Sequence, residues 1–244
     1  MSDDFMKAVG LDRPESGDDT VLPFAVETLD VRGRSVRLGP ALDVILRRHN
    51  YPAPVARVLG EAIVLASLIG SSLKFEGRFI LQTQTDGPVN LIVVDLQTPN
   101  GIRGYARFDE EALSKAAEKG ELAPEQLLGK GTMAMTIDQG EHTSRYQGIV
   151  ALDGSGLEAV AHNYFQQSEQ IPTMVRLAVA EMQNKGDVQA KWRAGGVLVQ
   201  HLPEHGGRTM PDLPGDGDHQ NPETADGDFE EENGWVEAKA LTET

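Results

Sequence analysis

The stretch from Pro54 to Leu73 constrains the fold more than any other part of the chain. Val55, Val58, Leu59, Ile63, Val64, Leu65, Leu68 and Ile69 put apolar side chains nearly all round a helix of that length. Such a helix is either buried in a large core or crosses a membrane. Arg57, Glu61 and several small residues interrupt the run. It therefore falls short of the ~18 uninterrupted apolar residues a span needs. The reading is a buried central helix, which the rest of the chain must surround.

The material to surround it is mostly strand. Phe24 to Val31 and Ser35 to Leu38 flank Gly33, which predicts an early strand pair turning at that glycine. Gly39-Pro40 opens a helix with Leu42, Ile45, Leu46 and His49 on one face, closed by Asn50-Tyr51-Pro52. Arg78 to Thr85 and Val89 to Leu96 surround the turn Asp86-Gly87-Pro88, and Ile102 to Phe108 follows Pro99-Asn100-Gly101. Thr132 to Asp138 and Thr143 to Leu152 form a further pair. Glu110 to Lys119 reads as a short polar helix, and Pro124 to Leu128 as another turn of helix. Asp153-Gly154-Ser155 caps a helix striped by Leu157, Val160, Ala161, Tyr164, Phe165 and Ser168. Thr173 to Glu181 alternates as a half-buried strand, and Val197 to Leu202 is a last strand entered through Gly195-Gly196. The fold class is α+β, with about six or seven antiparallel strands flanked by helices. Three regions are expected: a loose N-terminal arm (1–20), a core domain (21–202), and an acidic linker with the start of a helical segment (203–244).

Charge separates these regions. The net charge is −16, and ten Asp/Glu against one Arg between Pro203 and Gly234 account for more than half of it. A field of that sign repels phosphate backbones and anionic bilayers, so neither nucleic acid nor membrane is expected as a partner. The acidic stretch has no EF-hand spacing and reads as a flexible, solvated linker. There is no cysteine, which excludes a disulfide, a thiolate metal site or a Cys nucleophile in this chain. Met1 to Gly10 has no apolar segment of a secretory signal, and a cytoplasmic location is expected.

Several patterns suggest catalysis and lack its geometry. His201-Leu202-Pro203-Glu204-His205 has HxxEH spacing, yet Pro203 and Gly206-Gly207 oppose the helix that would put both histidines on one face. Ser71-Ser72-Leu73-Lys74 matches SxxK, but at the end of the apolar helix, where Lys74 complements the helix dipole. Gly129-Lys130-Gly131-Thr132 lacks P-loop spacing and reads as a turn before a strand. Glu61 is a candidate acid or base with no nameable partner, and His49 and His162 read as satisfied helix residues. No enzyme and no cofactor is expected. Met133 and Met135 share a strand face, where a pliable apolar surface and a core position are both open.

A series of motifs then resembles one family in order. Asn50-Tyr51-Pro52-Ala53-Pro54-Val55, Leu73-Lys74-Phe75-Glu76-Gly77, Asp86-Gly87-Pro88-Val89-Asn90-Leu91 and Arg103-Gly104-Tyr105-Ala106-Arg107 come first. Arg145-Tyr146-Gln147-Gly148-Ile149-Val150, Tyr164-Phe165 with Ser168-Glu169-Gln170-Ile171-Pro172-Thr173, Ala194-Gly195-Gly196-Val197-Leu198-Val199-Gln200 and Leu241-Thr242-Glu243-Thr244 complete it. Together they resemble the heat-shock protein 33 family of redox-regulated bacterial holdase chaperones. The resemblance implies an ATP-independent chaperone that binds unfolding client proteins under oxidative or heat stress and works as a homodimer.

It also implies a C-terminal CxC and CxxC module that binds zinc when reduced and forms disulfides when oxidised. This chain departs there, having no cysteine and so no zinc ligands of that kind. Its end, just as an amphipathic segment begins, reads as truncation before that module. Without the module, clients are expected to be held constitutively. Side-chain chemistry, apart from the resemblance, nominates client contacts at Tyr105, Phe108, Met133 and Met135 on strands, and at Phe229, Trp235 and Leu241 on the arm. The competing reading is a non-enzymatic module that docks one specific folded partner.

Overall fold

A computed structural model describes residues 17–72, 77–98, 101–138, 145–183, 185, 188–201 and 233–243. Most of the expected N-terminal arm, nearly all of the acidic linker, Phe229, and the Leu73-Lys74-Phe75-Glu76 stretch of the LKFEG motif lie outside those residues.

Among the described residues the strands number nine and form two antiparallel sheets rather than one. Sheet A holds β1 (Thr20–Val26), β2 (Val31–Leu38), β8 (Thr173–Met182) and β9 (Lys191–His201) in the order β1-β2-β9-β8. Sheet B holds β3 (Arg78–Thr85), β4 (Val89–Gln97), β5 (Gly101–Phe108), β6 (Lys130–Asp138) and β7 (Tyr146–Asp153) in the order β5-β4-β3-β6-β7. Six helices accompany them: α1 (Pro40–Arg47), α2 (Ala53–Gly70), α3 (Glu110–Lys119), α4 (Pro124–Leu128), α5 (Gly156–Tyr164) and α6 (Asn233–Glu243).

The apolar stretch is α2, and it lies between the sheets. Its mean hydropathy of 1.6 over 18 residues would suffice for a membrane span, yet 78% of it is buried inside the protein. Val64 and Leu68 press on Gly196 of sheet A, while Ile63 packs on Gly104 of sheet B. A helix with a sheet on each side has no polar face to offer, which explains why its apolar residues run all round. Ser67 satisfies its hydroxyl by donating to the Ile63 carbonyl one turn back, at 2.8 Å.

Two turn readings are corrected. Gly33 lies within β2, and the chain reverses instead at Glu27–Leu29, with Asp30 at φ 49°. A Cβ on Gly33 would sit 2.3 Å from the Phe24 ring, so the glycine gives that ring room to lie flat on the sheet. Gly195-Gly196 lies inside β9, which begins at Lys191, rather than before it. At Gly196 a Cβ would meet Val64 Cγ1 at 2.6 Å and the Arg176 carbonyl oxygen at 2.8 Å. Both glycines read as breakers in the sequence because close approach, not a turn, is what they serve.

Caps and edges are closed by side chains from distant segments. The Asp19 carboxylate accepts the Gly39 and Ala41 N–H groups at 2.8 and 3.0 Å, holding β1 to the start of α1. Asp109 caps α3 through the Ala112 N–H, and Gly120 ends it at φ 75°. At the sheet edges, Pro23 in β1 has no N–H to offer. On β5 the Ala106 N–H donates to Tyr51 Oη at 3.0 Å, and on β8 the Leu177 N–H donates to Glu158 Oε1 at 2.6 Å.

Candidate functional site

The tempting histidine and serine patterns fall only partly within the described residues, since Lys74 and 202–205 lie outside them. His201 ends β9 and stacks on Trp235, ring centroids 5.6 Å apart, while residues 202–205 lie outside the described set. Ser71 donates its hydroxyl to the Leu68 carbonyl at 3.1 Å. The Gly129-Lys130 segment turns into β6, with the Lys130 N–H donating to Asp86 Oδ1 at 2.6 Å. His162 Nδ1 pairs with the Thr173 carbonyl at 2.6 Å. Among the described residues no group of three or more His, Asp or Glu is placed to hold a metal ion.

Glu61 faces other carboxylates. Burial in α2, then the charges of Glu158 and Glu125, push its pKa up from 4.5 to about 7. Below pH 4.5 this carboxyl is neutral folded and unfolded alike. Between 4.5 and 7 only the unfolded chain ionises it freely, so stability falls as pH rises, and above 7 a constant penalty of roughly 3 kcal/mol remains. Glu61→Gln is expected to be the more stable protein at pH 8 and nearly equal to the parent at pH 4. Urea denaturation at the two pH values checks this; equal midpoints at pH 8 would remove the penalty.

The larger feature is the outer face of sheet A, turned away from α2. Side chains alternate across a sheet, and the register puts Phe24, Gly33, Val199 and Met174 in one row across all four strands. The next rows are Leu22, Ser35, Val197 and Arg176 on one side, and Val26, Val31 and His201 on the other. This face is largely apolar although it looks outward. Helix α6 covers one end of it, where Trp235 and Ala238 pack with Val31 and Val199 and against Leu29, Met174 and Val197. Beyond the helix, Leu22 (41%), Phe24 (38%) and Val26 (37%) stay open to solvent. Sheet B presents a different outer face: Asp95 bridges Arg78 and Arg103 at 2.5 and 2.7 Å, and Arg145 pairs with Asp138 at 3.0 Å. Those two arginines hold the Asp95 carboxyl below its usual range.

The expected contact residues do not come together. Met133 and Met135 are 0% and 2% exposed on the inner face of sheet B, so they fill the core and present nothing to a client. Phe108 is partly buried on the same core, its ring 6.5 Å from Tyr51. Tyr105 is exposed on sheet B beside His49. Trp235 is buried and covers the apolar face instead of extending it, while Leu241 is exposed on α6. The apolar residues of this outer face that the sequence reading did not nominate are Leu22, Phe24, Val26 and Val199. Their signal was present: 21–26 and 197–199 are apolar at successive positions, so both faces of those strands need cover.

The nine strands, the enclosed helix and the covered apolar face together form an architecture that can be compared with known proteins. The sequence model of the Hsp33 protein family matches residues 19–233. The chain belongs to the Hsp33 family. The 33 kDa chaperonin of Caulobacter vibrioides (strain NA1000 / CB15N) is 47% identical over 235 residues, covering 95% of this chain and 70% of that protein. The 33 kDa chaperonin of Ectopseudomonas mendocina (strain ymp) is 40% identical over 182 residues, 75% of this chain and 56% of the relative. The crystal structure of the 33 kDa chaperonin of Thermotoga maritima shares the fold, with a TM-score of 0.61 at 24% identity, covering 74% of this chain and 60% of that one. Membership in Hsp33 gives the chain a chaperone role. A thiolate zinc centre does not fit the residues of this Hsp33 chain, which has no cysteine.

Proposed function

We propose that this chain is an ATP-independent holdase that binds unfolding client proteins on the outer face of sheet A and so keeps them from aggregating under oxidative or heat stress. The observation that carries this reading is an outward-facing apolar sheet covered at one end by α6 and open at Leu22, Phe24 and Val26. Exposed contiguous apolar surface of this kind marks an interaction site, and unfolded chains expose the side chains that would fill it. The working unit is a homodimer in the cytoplasm. With no thiol in the chain, client binding has no redox switch of its own.

The test dilutes a chemically unfolded, aggregation-prone protein into buffer with this chain and follows light scattering, with and without reductant. Suppression at near-equimolar amounts is expected, unchanged by reductant. A Leu22→Ser, Phe24→Ser double variant is expected to suppress at least several-fold less. Ile149→Ser, at a 65% exposed residue of sheet B, should behave as the parent does. Absence of suppression by the parent chain, or equal loss in both variants, would overturn this assignment.

A further inference from the structure

The outer face of sheet A does not end as it begins. Counting along β2 from Val31 by twos leads through Gly33 and Ser35 to Arg37, and along β9 from Val199 through Val197 and Gly195 to Arg193. Both arginines therefore lie on the face that α6 covers at its other end. Six residues of strand separate Val31 from Arg37, about 20 Å at ~3.3 Å per residue. In a chain of net charge −16 this is a local cationic exception.

Among the described residues, the Asp18 carboxylate sits between the two guanidinium groups. Asp18 Oδ1 is 3.6 Å from Arg37 Nη2, and Asp18 Oδ2 is 3.6 Å from Arg193 Nε. Those separations allow attraction but exceed the ~2.7–2.9 Å of a charge-assisted hydrogen bond. Arg193 is pre-set by donating from Nη1 to the Trp192 carbonyl at 2.8 Å. Arg37 is left 59% exposed. A cavity of about 280 Å³ opens here, lined by Asp18, Arg37 and Arg193 and walled by Leu38, Met182 and Ala194. Two cations, one loosely held anion and an apolar wall make a place for a carboxylate attached to an apolar segment.

We propose that Arg37 and Arg193 form a carboxylate subsite at the end of the client face, occupied in the free chain by Asp18, which favours client segments that carry an acidic side chain next to apolar ones. The proposal rests on the client-face reading above and adds its chemical preference. A client carboxylate displaces Asp18, takes up the two guanidinium groups, and leaves its apolar neighbours on Leu22, Phe24 and Val197. Asp18 thus acts as an internal competitor that lowers affinity for acidic segments.

The experiment measures fluorescence anisotropy with two labelled, C-terminally amidated peptides of alternating leucine and serine, one ending in Glu and its twin ending in Gln. It uses the full 244-residue chain and its variants, each checked as folded by circular dichroism. In Asp18→Asn the Glu peptide is expected to bind about fivefold more tightly than the Gln twin, the scale of a partly exposed ion pair. That difference should shrink as salt is raised. Adding Arg37→Gln and Arg193→Gln is expected to abolish it while leaving the Gln twin unchanged. Equal binding of the two peptides to Asp18→Asn overturns the subsite alone. Failure of both peptides to bind any variant overturns the client face together with the subsite.

Discussion

Gly196→Val is expected to lose about 3 kcal/mol or more of folding stability, enough to remove a large part of what holds a domain of this size together. The position has no room. A Cβ would stand 2.6 Å from Val64 Cγ1 and 2.8 Å from the Arg176 carbonyl oxygen, so both the helix and the neighbouring strand would have to move. Neither moves freely, because α2 is held on its opposite side by sheet B through Ile63 and Gly104. Gly154→Ala is the control: its φ of 96° strains a side chain, but nothing lies within 4 Å of the added Cβ. It is expected to cost about 1–2 kcal/mol from backbone strain alone. Chemical denaturation of both variants measures the difference; similar midpoints would mean that the sheets are not clamped on α2 as described.

Trp235→Ala is expected to free α6 from sheet A. Trp235 and Ala238 are the buried residues among those described in this short helix, and Trp235 has much the larger side chain. Removing a buried tryptophan costs about 3–5 kcal/mol, more than a short helix secures from its remaining contacts. The outcome should be a rise in binding of an apolar fluorescent dye, as Val31, Val199 and Met174 become exposed. Client capacity in the light-scattering assay should rise in parallel, while the denaturation midpoint of the sheet core changes little. A variant with increased dye binding and no gain in capacity would place clients elsewhere.

Local periodicity made most elements legible. The Asp86-Gly87-Pro88 turn, the polar helix at Glu110–Lys119 and the stripe of Leu157, Val160, Ala161 and Tyr164 follow from residues close together in the chain. The division into two sheets was not legible, since it depends on β2 pairing with β9 across more than 150 positions. Gly196 was misread for the same reason, since Val64 crowds it from a helix far away in the chain, while Gly33 is crowded by Phe24 across its own hairpin. The surface was missed by a different error. Aromatic and methionine side chains were chosen for their chemistry, whereas exposure depends on which strand face the opposite sheet covers. Met133 and Met135 are buried in the core, and the less conspicuous Leu22 and Val26 face water.

Three of the four sheet edges, β1, β5 and β8, carry a contact that bears on the proposed client binding. Pro23, the Tyr51–Ala106 bond and the Glu158–Leu177 bond deny ladder partners to an incoming strand at β1, β5 and β8. An unfolding polypeptide can then adhere through side chains without being templated into a growing intermolecular sheet. On the proposed holdase reading, adhesion at these three edges would leave a guest's backbone amides unclaimed, so that the guest could be let go with its own folding still ahead of it.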